Sequence, residues 1–450
     1  MIDPIPAPPP SAAGVDVTLE RRLGPLDAAA IVVSNVIGGG IFFVPIIVAQ
    51  MVPHPGWMLG LWLAGGLLAF VGAMAFAELA AVRPHAGGEY VYLRDAYGPL
   101  AAFLTGWTSF IAGFSGAIAA SAIALADYVT RFVPAAASAE KFIAVSAIAI
   151  LTLIHVRGLG PGRLVQNLLA GLKVTAILLI IAFGFAIGNG DAANLSAVAG
   201  EARPMPWLLA LVPVMFSYSG WNAAAYVAEE VRNPSRNVPL ALGLGTAAVI
   251  VLYLALNALY LFALPISELA AVGGGRLMDT VAERLFGFAT GNLLAVFTII
   301  SLAASISAMV LAGPRVYFAM ARDGIFVRAA GRVHPRFHTP ATAIVAQAVW
   351  SCVLVLSGTL SQLVNYTGFA VVLFAGIAVS ALFPLRRRRG GAARPFSAFG
   401  YPWAPAIFVL ASALMVGNAF WREPIPTTVG AGLIALGIPV YFAFRTARRP

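Results

Sequence analysis

Charge is scarce in this chain. Only 10% of its 450 residues are Asp, Glu, Lys or Arg, whereas 60% are hydrophobic. A soluble domain carries roughly 25% charged residues, so a water-soluble globular protein is excluded. Lysine occurs twice, as Lys141 and Lys173, beside 26 arginines, a bias that points to a GC-rich, bacterial genome. A single cysteine, Cys352, excludes an internal disulfide and, lying in an apolar stretch, reads as a packing residue. The five histidines (54, 85, 155, 334, 338) fall in loops or at span ends without ligand spacing, which argues against a metal centre. The start, "MIDPIPAPPPSAAGVDV", has neither the basic n-region nor the apolar h-region of a signal peptide. It reads as a disordered tail over residues 1–26. The net charge of +10 could attract nucleic acid, but the basic residues are better explained as topology signals, and no nucleic-acid partner is expected.

What the chain has in abundance is long apolar runs. Many exceed the ~20 residues that a hydrocarbon core demands. Twelve spans are expected near 28–50, 57–80, 99–128, 141–156, 164–188, 206–229, 238–263, 291–320, 340–357, 362–384, 402–420 and 427–445. The fold class is therefore an all-α polytopic membrane protein whose solvent is the lipid bilayer. Twelve spans put both termini on one face. Placing the N-terminus in the cytoplasm puts 22 of the 28 Lys and Arg residues inside or in the inner halves of spans, as the positive-inside rule requires. The protein is thus expected in the inner (plasma) membrane with both termini cytoplasmic. The segment "LMDTVAERLFG" in the connection 264–290 alternates at helical spacing and predicts a short helix across the outer face. No soluble domain is large enough to fold alone.

Two spans are interrupted. In "SNVIGGGIF", Gly38, Gly39 and Gly40 break the first apolar run near its middle. Each interior glycine costs a helix roughly 1 kcal/mol relative to alanine. Lost backbone hydrogen bonds cost more in lipid than in water. Close helix packing is one explanation for three glycines. A phosphate loop is not, because no strand precedes them and no Gly-Lys-Ser/Thr follows. Five spans later, "VPVMFSYSGWNAAAYVAEE" gathers Pro213, Ser217, Ser219 and Gly220 within the sixth run. Interruptions at corresponding positions of two halves are the sequence signature of a transporter site built on an inverted repeat.

These stretches resemble the amino acid–polyamine–organocation (APC) superfamily. "IGGGIF" is similar to its unwound first-span segment, usually Gly-Ser-Gly-Ile-Phe. "FSYSGWNAAAYVAEEVRNPSRNVP" is similar to its sixth span and following loop, "AELAAVRPHAGGEYVYLRDAYGP" to its second-to-third-span loop, and "GPRVYFAMARDG" to its eighth-span exit. Phe-x-Tyr-x-Gly-Trp-Asn most resembles the L-type amino acid transporters and their bacterial relatives. The resemblance implies a LeuT-type 5+5 inverted repeat with broken spans 1 and 6. The ten-span core would cover 27–388, with repeats near 27–190 and 204–388, and spans 11 and 12 would lie within 389–450. It implies a secondary amino acid transporter working by alternating access, not an enzyme, with no cofactor and no obligate protein partner.

The resemblance also assigns a substrate site. The amino acid's carboxylate would meet the N–H groups of Gly39, Gly40 and Ile41 at a half-helix N-terminus, beside Gly38. Its ammonium would meet carbonyls of Ile37, Phe216, Ser217 and Ser219. The Phe216 ring would lie over the substrate, and the Asn222 amide would line the pocket. Gly39 stands where serine is usual and Ser219 where glycine is common, which bears on substrate identity. None of these groups is a carboxylate, so small to medium neutral L-amino acids are expected, with cationic amino acids or polyamines as the alternative. Lys173, ten residues past Arg163, lies ~15 Å along its helix. Snorkelling to the interface is one reading. The other, implied by the resemblance, is that Lys173 replaces a sodium ion beside span 1, with Ser305 as its hydroxyl partner, in a proton symporter or an exchanger. Glu229, Glu230, Arg232 and Arg236 are either inner-gate ion pairs or solvated loop charges. A membrane enzyme would need paired acids, a metal cluster or a nucleophile–base pair, and none is evident. A channel needs no paired broken helices.

Overall fold

The computed structural model describes residues 19–130, 132–133, 138–197, 200–201, 203–273, 277–287, 291–357, 360–389 and 394–446. Residues 1–18 of the expected tail lie outside this set. From Leu19 onward the chain is already packed: Leu19 and Leu23 are buried, and Leu23 forms a parallel bridge with Val231. Two leucines with apolar surface to hide are the physical reason residues 19–26, expected as part of the tail, belong to the packed structure. Otherwise the regular elements among the described residues are all helical.

A helix stands at each of the twelve expected positions. The first is bent: α1 (Pro25–Val36) and α2 (Gly40–Met51) meet at 48° across the glycines. Then come α3 (Pro55–Val82), α4 (Glu89–Tyr97), α5 (Pro99–Thr130), α6 (Glu140–Val156) and α7 (Leu159–Ile187). The second half opens with α8 (Pro204–Ser217), the four-residue α9 (Ala223–Tyr226) and α10 (Pro234–Ala263). It continues with α11 (Ile266–Ala271), α12 (Leu277–Phe286), α13 (Gly291–Ala312) and α14 (Pro314–Arg322). The remaining helices are α15 (Ala341–Ser357), α16 (Leu360–Ser380), α17 (Leu382–Arg389), α18 (Trp403–Arg422), α19 (Pro424–Ala435) and α20 (Gly437–Thr446). Eight helices among the described residues are long and apolar enough to cross a bilayer, and the bent α1–α2 pair would be a ninth; α8 and α15 are apolar but shorter. The helix expected over "LMDTVAERLFG" is α12, which buries Leu277, Val281 and Leu285 on one face.

Local chemistry explains where these helices start. Pro25, Pro55, Pro99, Pro204 and Pro234 open helices, positions at which a missing N–H costs nothing. At α1, the Gly24 N–H donates to Asp27 at 2.7 Å. The periodicity of α7 sorts its residues. Leu164, Leu168, Leu172 and Leu179 are exposed along one face, while Gln166, Ala170, Lys173 and Ile177 are buried on the other, the arrangement of a helix with one flank in lipid. α1 is enclosed by α7, α10 and α13, and α2 rests on α8 and α11. The first broken helix is thus held largely by elements of the second half.

Candidate functional site

The two interruptions touch. α8 ends at Ser217, and the chain unwinds through Tyr218–Asn222 before α9. A Cβ at Gly40 would lie 2.8 Å from the Ser217 Oγ and 3.1 Å from its Cα. Gly220, at φ +100°, presses on the other partner, and a Cβ there would lie 3.1 Å from the Asn35 carbonyl. Glycine is therefore required at one point of each break by the approach of the other. Gly38 and Gly39 are not crowded in this way: a Cβ at either would have its nearest neighbour at 4.0 Å.

Opening the helices frees backbone groups, and side chains from elsewhere satisfy some of them. The Tyr253 hydroxyl of α10 lies 2.9 Å from the Val36 carbonyl and 3.1 Å from the Ser217 carbonyl, within donating distance of both. One hydroxyl thereby ties the end of α1 to the end of α8. On the far side of α1, Lys173 is fully buried. Its ammonium donates to the carbonyls of Ile37 and Ser34 (3.3 Å) and to the Ser305 Oγ at 2.9 Å. Ser305 in turn lies within 3.1 Å of the Ser34, Ile37 and Ser301 carbonyls. Lys173 therefore points into the bundle and does not snorkel. The Ile37 carbonyl, assigned to the substrate ammonium, already has Lys173 and Ser305 within bonding distance. The N–H groups of Gly39, Gly40 and Ile41 meet no acceptor among the described residues, as expected at a helix start.

Beside the second break lies a cavity of about 190 Å³. Ser219, Gly220 and Asn222 form one wall, with Asn35 next to them and Phe114 and Phe374 among its apolar lining. Of the expected substrate residues, Ser219 and Asn222 line this space. Ile37, Ile41 and Ser217 are buried, Gly38, Gly39 and Gly40 are half-buried, and none of the six is part of the lining. Phe216 is 39% exposed and lies outside the lining. The expectation that no carboxylate reaches the pocket is corrected by the structure, because Glu89 lines the same cavity. The reason is that α4, read from sequence as loop, packs against α5 and carries Glu89 to Thr105, whose hydroxyl donates to it at 3.0 Å. Asn35, Tyr253 and Glu89 were not among the residues sequence singled out. The stripe Tyr253, Asn257, Tyr260 on one face of an apolar span was the available signal for the second of them.

Next to the cavity, the charged motifs close one end of the bundle. Glu230 and Arg315 are both fully buried and pair through two bonds of 2.7 and 2.9 Å. Glu229 accepts the Ala86 N–H and the Arg322 guanidinium. Arg232 and Arg236 are exposed, the solvated alternative. Glu78 is enclosed by Arg386, the Ala398 N–H and Arg394. No cluster of metal-binding side chains occurs among the described residues.

Apolar helices that bury a lysine against a broken span and leave backbone N–H groups open at the break have the architecture of a membrane transporter. Residues 23–444 match the Amino acid permease family, and the chain belongs to it, within the APC superfamily. The chain is 30% identical to the serine/threonine exchanger SteT of Bacillus subtilis (strain 168), over 96% of this chain and 98% of that one. It is 30% identical to the human cystine/glutamate transporter, over 95% of this chain and 86% of that one. It is 28% identical to the human large neutral amino acids transporter small subunit 2, over 97% and 82% of the two chains. The protein is an amino acid permease and not an enzyme.

Proposed function

We propose that the protein moves small to medium neutral L-amino acids by alternating access around the paired breaks. The observation that carries this reading is the meeting of the two interruptions, Gly40 against Ser217 and Gly220 against Asn35, beside unpaired N–H groups that suit a carboxylate. The cavity's walls are mainly apolar, with the Ser219 hydroxyl and Asn222 amide at one side and the Glu89 carboxyl held by Thr105, which suits a short uncharged side chain while that carboxyl is protonated. In this reading the chain has twelve spans arranged as a 5+5 inverted repeat. The end bearing Arg315, Arg322 and Arg386 faces the cytoplasm with both termini, in a bacterial inner membrane, by the positive-inside rule. Lys173, fixed by Ser305, supplies the positive charge beside span 1, and transport proceeds as exchange or as proton symport. The name of the Bacillus relative, an exchanger of serine and threonine, supports exchange. In this reading the chain works without a partner subunit.

The test is uptake of labelled L-alanine into proteoliposomes holding the purified chain alone. Unlabelled alanine, serine, threonine and valine should compete at neutral pH, and glutamate should not. Preloading the vesicles with unlabelled alanine should accelerate uptake if the cycle is exchange. Absence of saturable uptake of any of the four would overturn the reading.

A further inference from the structure

Among the described residues, Glu89 is a carboxyl group that pairs with no cation. Its side chain is half-buried, and the surface left open faces the cavity that Ser219 and Asn222 line. Thr105 of α5 donates to it, and Tyr226 of α9 hydrogen-bonds to it from the other side. Tyr226 also accepts from the Asn222 amide at 3.0 Å. A chain of hydrogen bonds therefore runs from the break in span 6 to this carboxyl.

The charged neighbours are engaged elsewhere. Tyr92, on the same helix, is a neutral phenol facing Glu89. From α14, Arg315 is held by Glu230 and Arg322 by Glu229. Asp323, just beyond α14, takes Arg94 and the Tyr90 hydroxyl. From α17, Arg386 binds Glu78, Arg388 binds the carbonyls of Asp95 and Ala96, and Arg387 lines a separate groove. α5 carries only Asp127, far along the helix toward its other end, and α16 carries no charge. Among the described residues no arginine or lysine bonds to Glu89.

We propose that Glu89 is a specificity-determining residue that selects against cationic amino acids when protonated and admits them when ionised. The inference rests on the reading of this cavity as the substrate site. Burial pushes the Glu89 carboxyl up to about 7, against the hydrogen bonds from Thr105 and Tyr226, which pull it down. Below that value the group is neutral, and a guanidinium or ammonium entering the cavity loses its water without gaining a partner. Above it, the carboxylate supplies one, so a cation binds as its hydrogen-bonded counter-ion.

The experiment is competition of L-arginine against labelled L-alanine in proteoliposomes at pH 6 and pH 8, with unlabelled L-alanine as reference competitor. The ratio of the two half-inhibition concentrations removes pH effects common to both. For a carboxyl of pKa near 7 the ionised fraction rises about tenfold across this interval, so arginine should gain about tenfold relative to alanine. Glu89→Gln should abolish that gain. Thr105→Val, which removes one donor to the carboxylate, should move the midpoint to higher pH. A wild-type ratio that is equal at both pH values, or a gain that persists in Glu89→Gln, overturns the inference. If Glu89→Gln cannot be purified, an unshifted midpoint in Thr105→Val overturns it instead. Failure of labelled alanine to enter at all would count against the substrate reading and is visible before any arginine is added.

Discussion

At the scale of single residues, the structure separates glycines that look alike in sequence. Gly40→Leu must push a branched side chain into the Ser217 backbone 3.1 Å away, and alanine uptake should fall by about tenfold or more while the protein still inserts and purifies. Gly38→Ala should be tolerated, since the nearest atom to its Cβ is a carbonyl at 4.0 Å. Near-normal uptake by Gly40→Leu would remove the backbone site. Lys173→Ala leaves the Ile37 and Ser34 carbonyls without their ammonium, a loss of roughly 1–3 kcal/mol for each buried group left unsatisfied. Uptake should drop sharply, and if Lys173 exchanges protons the pH profile of the residual transport should flatten. Equal rates and equal profiles in both proteins would leave Lys173 a purely structural residue. Lys173 was legible because a lone lysine in an apolar run has few explanations. Tyr253 was not, because a tyrosine in such a run reads as bulk, and only the fold shows which carbonyls its hydroxyl meets.

At the scale of elements, the short segment from α9 to Arg232 carries unusual responsibility. The Leu23 N–H donates to the Glu230 carbonyl at 3.0 Å, and the Arg232 N–H donates back to Leu23 at 2.8 Å. Side chains of the same segment hold α14 through Arg315 and the α3–α4 loop through Ala86. Removing one member of the fully buried Glu230–Arg315 pair strands the other. Arg315→Met alone should cost roughly 3–5 kcal/mol, and adding Glu230→Gln should restore part of it. Thermal unfolding of the three variants in detergent measures this, and a double variant no more stable than the single one would show that packing, not charge, dominates. Apolar runs bounded by proline and charge located the helices, because in lipid few other backbone arrangements satisfy their own hydrogen bonds. The same rule could not place α4, whose mixed polarity looks like loop until α5 and α14 are seen covering it. Nor could it orient Phe216, which still lies within α8 with its carbonyl accepting the Ser219 N–H at 3.0 Å and its ring outside the cavity lining.

At the scale of the whole molecule, the motifs that carry the family resemblance converge: the loop before α4, the segment after α9 and the exit at α14 bond to one another across most of the chain's length. Beside them, Lys173 has a thermodynamic consequence. A cation borrowed from solution is surrendered when its concentration falls, whereas one tethered by a side chain keeps an effective concentration that dilution cannot alter. The carbonyl cluster at Ser34 and Ile37 is therefore filled regardless of the salt on either face. Replacing sodium by choline should leave alanine uptake unchanged, and a steep loss would mean that a free ion competes for the place of the ammonium. Under the proposed function, in which the Lys173 ammonium stands in the place of sodium, accumulation is driven by another solute leaving as one enters, or by a proton that makes the crossing alone.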